Sequence, residues 1–168
     1  MTFTAGQKIR ASDLNAGIPT LSRMTSDVSV ISSTTYVDAT GMSLPMEANS
    51  VYALDGFLKY RSATAADIKF ILLGPTGAGG SFGIHGVVQA AVATTGDFEA
   101  FCLDGIGAAN QIGLGGAGAT TSAWGHLRGY ITTSSTAGTL QLQFTQVTST
   151  ASNTTMMTGS HLTLFKIA

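Results

Sequence analysis

The sequence predicts an all-β fold, a β-sandwich or jelly roll, and three observations lead to it. From about Thr25 onward, apolar and polar residues alternate with the period of two that strands have. Turns rich in Gly, Ser, Thr and Asn separate eight or more such segments at short intervals. Beyond the first twenty residues, no segment has the composition and period of a helix. Many short strands at this spacing are typical of sandwiches and jelly rolls.

Each strand is predicted from apolar residues two positions apart. These are, in order, Val28 and Val30; Met42, Leu44 and Met46; Tyr52, Leu54, Leu58 and Tyr60; Ile68, Phe70 and Leu72; Leu140, Leu142 and Phe144. GHLRGYITT and GTLQLQFTQV flank SSTAG, which predicts a hairpin between them. HLTLFKI, near the end of the sequence, is the last predicted strand.

IKFILL is the one strand segment that is apolar on both of its faces, with Lys69 as its single charge. Such a strand lies between two layers or against another subunit. We therefore predict a homotrimer, because closed cyclic symmetry buries an apolar sheet without open-ended growth. The residues predicted for its interface are Ile68, Phe70 and Leu72.

The charge content argues against several partners. Charged residues are 10% of the chain, the formal net charge is −1, and the basic residues are scattered. Nucleic-acid binding requires a basic patch, so no nucleic acid is expected. No run of apolar residues approaches the 18 needed for a transmembrane helix, so no membrane partner is expected. A weakly charged surface instead suits a protein that is covered by partner subunits.

GPTGAGGS, residues 74–81, resembles a phosphate-binding loop but lacks two features that phosphate binding requires. Gly74 and Gly79 are correctly spaced, but Gly80 stands where the lysine belongs. The following SFGIHGVV is too rich in Gly and β-branched residues for the required helix. We therefore predict no nucleotide and no other cofactor. A second glycine-rich stretch, residues 104–123, is predicted to be an exposed loop or one packed where chains meet.

The sequence also shows no group of residues with the spacing of a catalytic site or a metal-binding site. His85, His126 and His161 lie far apart in sequence and are predicted to be ordinary strand-surface histidines, with convergence on a trimer axis as the alternative. The single cysteine, Cys102, stands between Phe101 and Leu103 and is predicted to pack as a small apolar residue. We therefore predict that the protein is not an enzyme and holds no metal.

The first residues differ from the rest and are predicted to form an arm, residues 1–21, ahead of a domain spanning residues 22–168. FTAGQKIRASDLNAGIP resembles the opening of small virion proteins of tailed phages, especially those infecting actinobacteria, which share an F-x-A-G-Q-x-[IL]-x-A-x-D-L-N stretch. The resemblance implies a jelly-roll or tumour-necrosis-factor-like trimer that attaches to a larger surface through its arm. The predicted attachment residues are Phe3, Gln7, Lys8, Ile9, Arg10, Asp13 and Leu14.

The resemblance further implies a capsid decoration or cement protein on the capsid exterior, with the major capsid protein and copies of itself as partners. The chain has no long repetitive shaft of the kind that fibres carry, which favours the head over the tail. The alternative is a tail-fibre or receptor-binding module that binds carbohydrate. In that case Trp124, with His126 and Tyr130 nearby, would stack against sugar rings.

Overall fold

The structure is a computed structural model that describes residues 18–89 and 98–168. Its described residues form strands and connecting turns, and no helix among them is long and apolar enough to cross a membrane. The all-β prediction is confirmed. The strands are β1 (Thr20–Arg23), β2 (Val28–Val30), β3 (Val37–Met46), β4 (Val51–Ser62), β5 (Ile68–Leu73), β6 (Gly79–Val87), β7 (Phe98–Asp104), β8 (Gln111–Leu114), β9 (Gly118–Thr132), β10 (Gly138–Gln146), β11 (Thr154–Met156) and β12 (His161–Lys166).

The strands form two antiparallel sheets that pack face to face. The large sheet has the order β1-β12-β4-β9-β6-β7, with β11 pairing β2 and β4. The small sheet has the order β3-β10-β5-β8. The longest strands, β4 and β9, pair along nearly their whole length at the centre of the large sheet.

The strand order is that of a jelly roll with one insertion. Without the short β2 and β11 and the β6–β7 pair, eight strands remain. Counted from one to eight in chain order, they have the order 1-8-3-6 in the large sheet and 2-7-4-5 in the small sheet. From β3 to β5, and again from β8 to β10, the chain crosses from one sheet to the other at every connection. This arrangement is the double Greek key of a jelly roll. The inserted strands β6 and β7 extend the large sheet beyond β9.

The core lies between the sheets and uses the predicted alternation. In β3, Met42, Leu44 and Met46 are buried while the residues between them are exposed. In β4, the inward residues Tyr52, Leu54, Leu58 and Tyr60 are buried, as are Leu140, Leu142 and Phe144 in β10. Burial of a large apolar side chain contributes about 1.5–3 kcal/mol to the free energy of folding, so the inward residues of these strands are a major source of stability.

The residues predicted for the trimer interface belong to this core. Ile68, Phe70 and Leu72 are fully buried between the sheets of a single chain, and the ring of Phe70 meets that of Tyr60 edge-on at 6.2 Å. The structure therefore corrects their assignment to a contact between copies. The outward Ile71 is also buried and the outward Lys69 and Leu73 are half-buried, so the outer face of β5 is largely covered within the chain. The apolar pattern of β5 correctly predicts a strand that is covered on both faces, but it does not predict that the cover comes from the same chain.

The predicted hairpin between β9 and β10 is wrong. β9 lies in the large sheet between β4 and β6, whereas β10 lies in the small sheet between β3 and β5. The connection over residues 133–137 therefore crosses from one sheet to the other. Local turn composition suits a hairpin and a sheet-to-sheet corner equally, and the pairing is decided by partners distant in sequence.

The glycine-rich segments serve close packing of the backbone. Gly80, at the lysine position of the phosphate-loop pattern, lies in β6 with φ 139°, and a side chain there would collide with the carbonyl oxygen of Tyr130. No helix follows that strand within the described residues. Residues 104–123 are not one exposed loop, because they contain β8 and the start of β9. Gly115 and Gly116 are buried against the backbone of Val88 and Ala63.

A buried hydrogen bond ties the core to this segment and can be tested. The Tyr60 hydroxyl donates to the Gly115 carbonyl oxygen at 2.8 Å, and burial raises the pKa of that hydroxyl well above its usual range. We expect Tyr60→Phe to lower the free energy of unfolding by about 1–3 kcal/mol, because a buried carbonyl loses its donor. Denaturant unfolding measures this. Tyr130→Phe, at a half-exposed position, is the control, and equal effects of the two substitutions would contradict the account.

Candidate functional site

The outer face of the large sheet carries an unusual number of exposed aromatic residues. Strand register places them there, because the inward positions of β4, β6, β9 and β12 are buried and the alternate positions point outward. We call this surface the aromatic face. Its large apolar members, with their exposed fractions, are Leu21 (63%), Phe57 (37%), Phe98 (47%), Trp124 (39%), Tyr130 (50%) and Phe165 (41%).

Trp124 is the centre of a continuous group of rings on this face. Its ring lies 6.3 Å from that of Phe57, nearly parallel to it, and 5.8 Å from that of Phe98. The imidazole of His85 contacts both Phe98 and Trp124, at 5.5 and 6.1 Å. At the other end, His161 stacks on Phe57 at 5.9 Å. Residues from five strands, β4, β6, β7, β9 and β12, thus form one cluster.

A small charged group lies beside the rings. The Asp55 carboxylate on β4 accepts from Arg128 Nε at 3.2 Å and contacts His126 Nε2 at 3.0 Å, both on the adjacent β9. One carboxylate oxygen therefore meets two basic side chains. The carboxylate is already paired within the chain, so burial of this face would not leave it without a partner.

The three histidines of the chain lie in one cross-strand row. His161 is opposite Phe57, Phe57 is opposite His126, and His126 is opposite His85. The prediction that they are strand-surface residues is confirmed, but their convergence was visible only after the strands had paired. In the part of the chain that the structure describes, no three His, Cys, Asp or Glu side chains are grouped so as to hold a metal ion.

Cys102 lies on the same face, and the prediction that it packs as a small apolar residue is wrong. It is exposed on β7, and its sulfur lies 3.1 Å from the Ser81 hydroxyl on β6. The error has a physical reason. Cys102 is opposite Gly83 and stands on the outward side of the edge strand β7, away from the small sheet, so no layer of the described residues covers it.

The aromatic face is large enough for an interface between proteins. From Trp124 to Tyr130 it runs six residues along β9, which is about 20 Å at the rise of a strand. Six strands at about 4.8 Å spacing give a width of about 24 Å. A flat area of about 480 Å² lies within the range of about 300–600 Å² that the largest surface patches of monomers have, and such patches are often functional.

The other predicted site residues divide into two groups. Phe3, Gln7, Lys8, Ile9, Arg10, Asp13 and Leu14 lie outside the described residues. Trp124, His126 and Tyr130 all point outward from β9, as a stacking platform requires. Sequence reasoning missed Phe57, Phe98 and Phe165, since an isolated Phe on a strand gives no sign of which layer covers it.

Comparison with known proteins finds no match by sequence and a remote likeness among solved structures. No protein-family model matches the sequence, and no curated protein is similar to it. Among solved structures, the infectious bursal disease virus Gx strain is 15% identical with TM-score 0.21, over 89% of this chain and 40% of that chain. The VP2 subviral particle of the same virus is 11% identical with TM-score 0.23, over 89% and 41%. This chain thus spans about two fifths of the chains that it matches, and a likeness at this level carries no argument about fold or function.

Proposed function

We propose that the protein is a virion structural protein that decorates a phage capsid as a homotrimer attached through its N-terminal arm. The observation that carries the proposal is the aromatic face: a sandwich whose core is already complete still exposes six large apolar side chains on one sheet. Contiguous exposed apolar surface of this kind marks a protein–protein contact. The resemblance of the arm supports the virion setting.

A second copy of the chain is the occupant that best suits the aromatic face. The flat area of about 480 Å² is smaller than the roughly 800 Å² per partner that a standard interface buries, so it corresponds to a small interface. The carboxylate on the face is paired internally, so a like surface meets no unpaired charge. A formal net charge of −1 per chain gives little repulsion between copies. Closed threefold symmetry buries the face without producing fibres.

The arm supplies the contact with the capsid. Its apolar residues Phe3, Ile9 and Leu14 stand among polar ones, which suits docking on a larger surface. One arm of this length binds modestly because docking costs ordering entropy. Three arms on one trimer bind at high effective concentration after the first has engaged. Attachment at a local threefold position of the lattice would join adjacent capsid subunits, which is the action of a cement.

A tail-fibre or receptor-binding module is the second candidate, and one observation favours it. The rings of Trp124 and Phe57 lie within 20° of parallel and are both partly exposed, an arrangement on which a sugar can stack. The two candidates differ in what covers the face. A decoration trimer hides these rings from soluble sugars, whereas a receptor-binding module leaves them accessible.

The test is deletion of residues 2–17, which leaves β1 and its pairing with β12 intact. We expect the shortened chain to sediment as a trimer, at a mass somewhat below the 51 kDa of three full chains of 17.1 kDa, and to lose binding to capsids that lack the protein. Co-sedimentation with purified heads measures the binding. Full retention of binding would show that the arm is not the anchor, and binding of the intact chain to tails alone would favour the second candidate.

A further inference from the structure

We infer that acid weakens the association of this chain with copies of itself, because two histidines lie inside the aromatic cluster that association buries. The inference rests on the proposed assembly through the aromatic face. It adds a regulation that the fold alone does not imply: the assembled state would be stable at neutral pH and would separate in mildly acidic conditions without loss of the fold.

His85 and His161 are the two residues that carry the inference. Their imidazoles contact aromatic rings: His85 contacts Phe98 and Trp124, and His161 contacts Phe57. These ring contacts exist in the separated chain as well, so the change on association is the apolar surface that covers the imidazoles and favours their neutral form. A protonated imidazole in the same place would bring a charge into an interface, which is costly unless it is paired.

The groups that face these two histidines offer little compensation. Across from His161 stand Arg23 on β1 and Phe57 on β4, and its Nδ1 donates to the Gly159 carbonyl oxygen at 3.2 Å. Across from His85 stand Ala100 on β7 and His126 on β9.

The remaining charges of this face are mostly basic. Lys59 on β4 lies opposite Trp124, Asp55 is shared between Arg128 and His126, and Asp104 at the far end of β7 accepts from the Ser81 hydroxyl. Glu99 on β7 is in register with the inward Gly86 and accepts from the backbone of Gln89, so it does not face the His85 ring. A positive charge on either histidine thus meets cations more often than a carboxylate.

His126 is different and provides an internal control. Its Nε2 lies 3.0 Å from the Asp55 carboxylate, so a positive charge on this imidazole would be paired within the chain. Protonation of His126 therefore opposes association less than protonation of the other two does. The chain contains these three histidines and no others, so the contribution of each can be separated by substitution.

The direction of the pH effect follows from proton linkage. The separated chain binds more protons than the assembled chain, so association weakens as the pH falls through the range in which histidine titrates, near 6.5. With two linked protons per chain, the association constant per chain falls about a hundredfold for each pH unit below that range.

Carboxylates titrate below this window. The backbone N–H and the hydroxyl of Thr158 donate to Asp27 and hold the pKa of that carboxyl below its usual 3.8. A lowered folded-state pKa contributes stability that is present above the ordinary value and is lost only as the pH falls through the lowered one. A change between pH 7.5 and 5.5 therefore does not come from this residue.

The experiment is sedimentation equilibrium of the full chain from pH 7.5 to 5.5, with circular dichroism to follow the fold. We expect the association constant per chain to fall at least tenfold per pH unit below pH 6.5 while the β signal is unchanged. The double variant His85→Gln/His161→Gln should lose most of this pH dependence. His126→Gln should keep the pH dependence of the natural sequence.

Each other outcome counts against a definite claim. A pH-independent association constant in the natural sequence, or an unchanged pH dependence in the double variant, overturns the inference and leaves the proposed assembly standing. A chain that is monomeric at pH 7.5 contradicts the assembly itself. If the double variant does not associate at neutral pH, the single variants decide, since each should halve the number of linked protons.

Discussion

Replacing Phe70 with aspartate should prevent the chain from folding. The Phe70 ring is fully buried between the sheets and packs edge-on against Tyr60. Loss of a buried Phe costs about 3–5 kcal/mol. An unpaired carboxylate in the same place adds a desolvation cost. Because domains of this size are stable by only about 5–15 kcal/mol, the sum approaches or exceeds the whole stability. Circular dichroism and the soluble yield measure the outcome.

Two comparisons make this result specific to the core. Phe70→Leu removes part of the ring but keeps the site apolar, so we expect a folded chain with reduced stability. Phe101→Asp changes a half-exposed Phe on the edge strand β7 and should leave the fold intact. A folded and soluble Phe70→Asp chain would show that this position is not enclosed by the two sheets of one chain.

The core of this fold was predictable from the sequence because alternation is a local property. Met42, Leu44 and Met46 or Leu140, Leu142 and Phe144 reveal their buried face with no knowledge of the neighbouring strand. Pairing is not local. The supposed hairpin of β9 and β10 failed because each strand pairs with others that are distant in sequence.

The candidate site was less predictable for the same reason. The aromatic face combines residues of several strands, and only Trp124 and Tyr130 on β9 stand in one segment where the sequence shows them together. Conversely, the doubly apolar β5 was interpreted as a contact between copies, because the pattern of Ile68–Leu73 does not state whether a layer of the same chain or another chain covers it. His85 and His126 are neighbours across a strand pair but 41 residues apart in sequence.

Replacing Trp124 with lysine should separate the copies without unfolding them. Trp124 contacts Phe57, Phe98 and His85 and stands at the centre of the ring cluster on the aromatic face. Loss of a central aromatic residue from an interface costs about 2–4 kcal/mol, which weakens association about 30-fold to 1,000-fold. The new charge lies opposite Lys59, so repulsion adds to the loss.

The matched control places the same charge on the other side of the sandwich. Ser43 is exposed on β3, on the outer face of the small sheet, and Ser43→Lys should leave association unchanged. Sedimentation velocity at micromolar concentration separates a 17.1 kDa monomer from its assembly, and thermal unfolding confirms that both variants fold. The partly exposed Trp124 site accepts a lysine stem along its neighbouring rings with the ammonium group in water, so the fold survives. If Trp124→Lys remains assembled while Ser43→Lys dissociates, the copies meet through the small sheet, and the aromatic face is free for another partner.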